Sequence, residues 1–428
     1  MDGELIKSIS EGDTAWVIVA AALVMLMTPG LALFYGGMVR TKNVLGMLMQ
    51  NFFSLGLVTV LWVAVGYSLA FGGTNDFIGN FDFAWLHDVA APAGGKFVGM
   101  APPGFGALTI PPMVFMAYQM MFAVITPALI TGAIADRMRF TAWVWLLGLW
   151  AILVYSPVAH WVFSPEGWLF KRGALDFAGG TVVHVNAGIA ALAAILVLGR
   201  RRGWPKHAMP PHSLPLTLIG TGILWFGWFG FNAGSALGAN GLAAQAFVNT
   251  TVAAATAMLG WLIFEKLRTG HATTLGAASG AVAGLVAITP CAGFVGGMAP
   301  VAIGFLAGAI CYFAVSLKFR FGYDDSLDVV GVHLVGGLLG SLLLGLFADA
   351  AVNEAGKDGV FFGGGWSLLG EQAIAVAATI VFSFVVTYLI CVVLKAVLPG
   401  GIRVSEEDEE TGLDLTQHEE RAYATDLV

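Results

Sequence analysis

Two histidines each follow an aspartate by eight residues in apolar surroundings, His184 after Asp176 and His333 after Asp325. Imidazole donates, accepts or exchanges a proton near neutral pH. Ionisable rings within apolar sequence are expensive and mark a path for something polar, such as a cavity or proton route. A neutral ring hydrogen-bonded to a neighbouring helix is the plain alternative for either one alone; two at matching depth favour a functional pair. Bis-histidine ligation of haem is the rival chemistry, and the small residues nearby (Gly179, Gly180, Gly188, Gly331, Gly336, Gly337) suit either use.

The elements that position these rings follow from composition. With 58% hydrophobic and 11% charged residues over 428 positions, the chain lies far from a soluble balance of about a quarter charged. It reads as an all-α integral membrane protein. The uncharged stretches are 14–39, 43–75, 97–135, 140–165, 177–199, 207–264, 269–317, 329–348 and 372–394. A span needs about 20 residues. The two longest stretches hold two spans each, broken at Gly230–Gly241 and Thr289–Pro300, so eleven transmembrane helices are expected. Glycine is frequent, at 57 residues, and lets helix backbones approach closely where no water-driven force presses them together.

Lys and Arg concentrate in alternate connections: Arg40 and Lys42, Arg137 and Arg139, Arg200–Arg202 with Lys206, Lys266 and Arg268, Lys318 and Arg320, then Lys395 and Arg403. The opposite side has only Lys7, Lys96, Lys171, Arg172 and Lys357. Cytoplasmic loops hold the excess, which places the N-terminus outside and the C-terminus inside. The first residues lack a basic region ahead of an apolar run with a cleavage site, so no removable signal peptide is expected. The helix after Asp176 then starts at the outer face and the helix after Asp325 at the inner face. Eight residues advance about 12 Å along a helix, so both histidines reach near the middle of a hydrocarbon layer about 30 Å thick. Opposed equivalents suggest inverted five-helix repeats, halves at about 14–199 and 207–349, with a peripheral eleventh helix at about 368–397. Residues 1–398 form the membrane domain and 399–428 a cytoplasmic acidic tail.

That tail carries Glu406, Glu407, Asp408, Glu409, Glu410, Asp414, Glu419, Glu420 and Asp426 within a net charge of −7. It excludes a nucleic-acid surface; a solvated tail is the plain reading and a partner-docking element the other. Cys291, Cys311 and Cys391 lack paired spacing and read as packing residues. No metal site, cofactor or enzymatic nucleophile–base constellation is expected. Asp176 suits an N-cap, and Asp324, Asp325 and Asp328 read as cytoplasmic caps. The polar insertion near 73–112 reads as an extracellular loop.

Four motifs carry a resemblance: Met27-Thr-Pro-Gly-Leu-Ala-Leu-Phe-Tyr-Gly-Gly37, Ala174-Leu-Asp-Phe-Ala-Gly-Gly-Thr-Val-Val-His184, Gly227-Trp-Phe-Gly-Phe-Asn-Ala-Gly-Ser235 and Asp328-Val-Val-Gly-Val-His333. The chain resembles ammonium transporters of the Amt/Mep/Rh family over essentially its whole length, ending at Gly412-Leu-Asp-Leu415. The resemblance implies a homotrimer in a cell (inner) membrane, one pore per subunit, serving nitrogen uptake. Its ligands would be ammonium, ammonia and methylammonium in a lipid bilayer. His184 and His333 match the family's pore pair, Asp176 its outer aspartate, and Ser235 the recruiting hydroxyl. Phe122 and Phe231 match the stacked gate rings, with Trp228 beside them. Two positions depart from many bacterial members: Tyr118 replaces a Phe one turn before the gate ring, and Phe163 aligns with a Trp beside the hydroxyl, although Trp168 is also available to supply that ring. A weaker cation–π face would recruit less well. The tail segments Gly401-Ile-Arg-Val404 and Thr411-Gly-Leu-Asp-Leu415 resemble a family tail that meets a PII-type signalling protein.

The expected mechanism is recruitment of ammonium, loss of a proton, and passage of ammonia through a dry pore that stops potassium by desolvation. Proton co-translocation is left open by the sequence. An ammonium sensor with little flux is the alternative, and a haem-bearing electron carrier the third reading.

Overall fold

The computed structural model describes residues 9–423, apart from 90, 94–95, 99–100 and 107. Lys7 and Asp426, counted above, lie outside the described residues. Among the described residues, eleven apolar helical segments follow one another: α1 Glu11–Met38, α2 Thr41–Phe71, α3 Pro112–Ile134, α4 Phe140–Arg172, α5 Gly180–Leu198, α6 Leu214–Ala236, α7 Gly241–Thr269, α8 Thr274–Ile288, α9 Ala299–Phe321, α10 Val330–Phe347 and α11 Ser367–Val397. Ten of them have the length and hydropathy to cross a membrane; α8, with 15 residues, is shorter. Buried turns continue α8 through Phe294. Both expected breaks occur, between α6 and α7 and between α8 and α9. The architecture departs from all-α at one place, where Ala91–Ala93 (β1) pairs antiparallel with Lys96–Val98 (β2) in the long 72–111 connection.

Glycine sets the closest helix contacts. A Cβ at Gly220 of α6 would lie 2.2 Å from the backbone nitrogen of Phe34 in α1, and one at Gly308 of α9 would lie 2.0 Å from the Ala257 carbonyl of α7. No side chain fits at either point, so these helices meet backbone to backbone. The pairings α1 with α6 and α7 with α8 and α9 are the most extensive, and α5 packs against α3, α10 and α11.

The tail does not hang free. Ser405 caps a short helix α12 (Glu406–Thr411) through a capping box with Asp408, and α13 (Leu413–His418) follows. The Asp414 carboxylate accepts the Gly46 N–H at 2.8 Å, Asn43 accepts the Leu413 N–H at 2.8 Å, and Arg403 donates to Glu409 at 2.6 Å. The solvated-tail expectation therefore fails for Glu409 and Asp414, 1% and 3% exposed. Their charges meet orphan helix-start N–H groups and an arginine, which outweigh hydration.

On the same face, Arg137 is fully buried and donates to the carbonyls of Ala133, Ala135, Gly199 and Asp324. Burial pushes its guanidinium down to about 10, with Asp324 opposing, so it stays charged at neutral pH. Burial alone would raise the Asp324 carboxyl, but hydrogen bonds from Arg201 and the charges of Arg137 and Arg201 outweigh it and hold it below the usual range.

Candidate functional site

Both histidines stand in turns wound more widely than an α-helix. Gly180–Val185 and Val330–Leu334 are π-helical stretches at the starts of α5 and α10. Such widened turns concentrate at functional sites, because they leave the regular hydrogen-bond ladder and re-aim side chains. Each stretch is anchored by its aspartate in matching register. Asp176 Oδ1 accepts the N–H of Gly179 and Gly180, and Oδ2 those of Thr181 and Val182, at 2.7–3.2 Å. Asp325 Oδ1 accepts the N–H of Val329 at 3.1 Å and Oδ2 that of Val330 at 2.7 Å. Four and five residues after the aspartate, the same oxygens take the same backbone groups.

Of the three expected caps near α10, only Asp325 acts as one. Asp324 is bonded to Arg201 at 2.8 Å, and Asp328 to Lys318 at 2.6 Å. A neighbouring cation captures a carboxylate more strongly than an exposed helix N-terminus does.

The two starts bring His184 and His333 together at 1% and 3% exposure. Their Nδ1 atoms are 3.3 Å apart and the rings lie at 26°, centroids 5.4 Å apart. One Nδ1 must donate and the other accept, so the neutral pair holds opposite tautomers. It presents a bare Nε2 at one end and an Nε2–H at the other. His184 Nε2 has no hydrogen-bond partner. A cavity of about 10 Å³ beside the rings is walled by Met27, Leu31, Phe34, Ile125, Leu129, Leu224 and Val282, among others. That is about the space of one water-sized molecule.

Phe122 and Phe231 close the cavity on the side of the 72–111 connection, their centroids 4.3 Å apart at 35°. Trp228 stacks on His184 at 5.4 Å and 18°, and its indole N–H donates to Thr289 at 2.9 Å. Beyond the two rings opens a pocket of about 150 Å³ lined by Tyr118, Phe122, Phe163, Asp176, Ser235 and others. The Tyr118 hydroxyl lies 2.9 Å from the carbonyls of Gly230 and Phe231 and 3.1 Å from Ser235 Oγ. Ser235 Oγ donates to the Phe231 carbonyl at 2.9 Å, which leaves its lone pairs to accept.

Phe163, not Trp168, lines this pocket. Trp168 packs instead on Trp161 and Phe77, at 5.8 and 6.2 Å. The chain reverses at Ser164–Gly167, and the Trp168 N–H donates to the Asp76 carbonyl, which turns the indole away. Sequence reasoning did not single out Thr289, or Lys318 as a partner of Asp328. Met27, Leu31 and Phe34 sit in a motif it quoted, at spacings of four and three that place them on one helix face.

No group of three or more His, Cys, Asp or Glu able to hold a metal occurs among the described residues. The rings lie 26° from parallel with their nitrogens 3.3 Å apart, which leaves no room for a flat macrocycle between them. Haem ligation by this pair is overturned on geometry.

A multi-pass membrane protein built round a buried, aromatic-capped histidine pair is the class this geometry defines. A family profile described as Ammonium Transporter Family matches residues 15–423. The Ammonium transporter of Mycobacterium tuberculosis (strain ATCC 25618 / H37Rv) is 51% identical over 433 residues, covering 96% of this chain and 90% of that one. The Ammonium transporter of Bacillus subtilis (strain 168) is 50% identical over 413 residues, covering 96% and 98%. The crystal structure of Candida albicans Mep2 superimposes with a TM-score of 0.86 at 36% identity, covering 95% of this chain and 89% of that one. The solved Sensor Amt Protein gives 0.84 at 29%, covering 98% and 100%. The chain belongs to the ammonium transporter family, a family of transporters and not of enzymes.

Proposed function

We propose that ammonium is recruited in the pocket formed by Phe163, Phe122, Tyr118, Ser235 and Asp176, gives up its proton to water there, and crosses as ammonia between Phe122 and Phe231 and along His184 and His333, while the proton is relayed along the same histidine pair and rejoins ammonia on the far side. The observation that carries this reading is the apolar cavity of about 10 Å³ holding both rings. A bare cation entering it would lose its hydration with no carboxylate on the wall in exchange. Ammonia, with three donors and one acceptor, matches a bare Nε2 at one end and an N–H at the other. Potassium has no proton to shed and stops at the rings. Asp176 holds its negative charge beneath the pocket, spread over four backbone N–H groups, which favours an arriving cation.

The frame for this path is eleven spans, with the pocket side outside the cell and the tail side in the cytoplasm. The alternation of basic loops supports that orientation. Inverted halves at about 14–199 and 207–349 are supported by the matching registers of Asp176 and Asp325 and by the mutual packing of α1 with α6 and α5 with α10. The last helix, at about 368–397, stands outside the repeat, and residues 399–428 form the regulatory tail. A homotrimer in the cell (inner) membrane, with a PII-type signalling protein on the tail face, completes the proposal.

The test is electrical current from reconstituted protein on a solid-supported membrane after jumps of ammonium, methylammonium and potassium. Current with the first two and none with potassium, abolished in His184→Ala/His333→Ala, is the expected result. Ammonia-driven internal alkalinisation without current identifies a neutral channel. An ammonium sensor with little flux is the alternative, in line with the likeness to the Sensor Amt Protein; absence of both current and alkalinisation would overturn transport and leave that reading standing.

A further inference from the structure

The tail-side end of the histidine path contains an ammonium group of the protein's own. Lys318, near the end of α9, places Nζ 2.6 Å from Asp328 Oδ1 and 3.0 Å from the Asp325 carbonyl. Its side chain is 12% exposed, and that of Asp328 29%. Asp328 is the only carboxylate, among the described residues, lining a second cavity of about 10 Å³ that it shares with His333, Ser279 and Tyr35. Its φ of 64° is left-handed, a conformation rare for a non-glycine residue, and the Lys318 bond holds the side chain toward α9. The opposite mouth is built differently. No Lys, Arg or His nitrogen of the described residues lies within ion-pair distance of Asp176, and its pocket is about 150 Å³.

We infer that Lys318 is a tethered competitor of ammonium: it occupies Asp328, fixes a positive charge at the cytoplasmic mouth, and makes recruitment from the cytoplasm weaker than recruitment from outside. The inference rests on the transport path and orientation proposed above. The physical basis is the like charge of Lys318 and an arriving cation in a partly buried site, where screening is weaker than in bulk water. A path with no energy source cannot favour one direction at equal concentrations and zero voltage. A higher half-saturating concentration inside is therefore matched by a higher maximal efflux, and Lys318 sets where each face saturates.

The experiment measures half-saturating ammonium at each face separately, using proteoliposomes of opposite, assigned orientation. Wild type is expected to saturate at higher ammonium on the cytoplasmic face. Lys318→Met should lower the cytoplasmic value by about threefold or more and leave the outer value unchanged, while Lys318→Arg keeps the wild-type values. An unchanged cytoplasmic value in a correctly assembled Lys318→Met protein, or an equal shift on both faces, overturns the inference. Should that variant fail to assemble, Asp328→Asn decides: it leaves the lysine charge unbalanced and raises the cytoplasmic value, and a fall or no change overturns the inference. Wild-type flux with equal half-saturation on both faces overturns the role of Lys318 and leaves the transport reading standing. Wild type without flux overturns both.

Discussion

The start of α5 and the start of α10 are built on one plan and finished differently. Each has an aspartate, a widened turn anchored four and five residues later, and a histidine at the eighth position. Asp176 holds four N–H groups beneath an open aromatic pocket; Asp325 holds two, its carbonyl accepts from Lys318, and that lysine also pairs with Asp328. A shared backbone device thus sets the central rings, while the side chains outside the device differ between the two ends. On the transport path proposed above, the matching registers hold the middle, and the departures between the two starts would give the two faces separate tasks.

The comparison breaks most sharply at its shared centre. His184→Ala/His333→Ala should abolish selective ammonium current while the protein still assembles; a selective current of wild-type size would show that the rings are packing residues. Next come the anchors. Asp176→Ala orphans four N–H groups and Asp325→Ala two, each buried orphan costing about 1–3 kcal/mol. Asp176→Ala should therefore lower thermal stability more than Asp325→Ala, and the reverse order would show that the tail-side cluster, not the cap, carries the load.

Smaller effects sharpen the mouth on the side of the aromatic pocket. Phe163→Trp should lower the half-saturating ammonium concentration roughly two- to tenfold, since the whole cation–π attraction is about 0.5–2 kcal/mol and Trp offers the better face. Tyr118→Phe removes a hydroxyl that steadies Ser235 and should weaken recruitment by a few-fold at most, about 0.5–1 kcal/mol. An unchanged value in both variants would move the recruitment site elsewhere.

The smallest effect belongs to the tail. His418 packs edge-on to Phe140 at 5.1 Å, and burial holds its imidazole below the ordinary 6.5. Undocked, that ring binds protons more readily than docked, so tail docking is fully favoured above about 6.5 and weakens as pH falls toward the docked value. The hydrogen-exchange protection factor across Leu413–His418, corrected for the intrinsic base-catalysed rate at each pH, should fall between pH 8 and pH 5.5, and His418→Phe should flatten that dependence.

Much of this was legible in the sequence because charge is scarce. The Asp-to-His spacing, the breaks after Ala236 and Ile288 and the alternation of basic loops need only hydropathy and counting. The π-helical turns at Gly180 and Val330 left no trace, since hydropathy and spacing do not distinguish a widened turn from an α-helical one. Whether Phe163 or Trp168 faced the pocket turned on the reversal at Ser164–Gly167, a matter of backbone direction that composition does not encode. The tail misled for a related reason: acidic residues read as solvated until the fold turns Arg403 onto Glu409 and brings the Gly46 N–H, 368 positions away, to Asp414.

The cavity beside the histidines has an osmotic consequence. At about 10 Å³ and shut on one side by rings 4.3 Å apart, it holds a single small molecule and leaves no room for a continuous hydrogen-bonded file of water. A cell can then carry many copies of this protein without short-circuiting its turgor. Vesicles loaded with it should shrink under osmotic shock no faster than bare lipid.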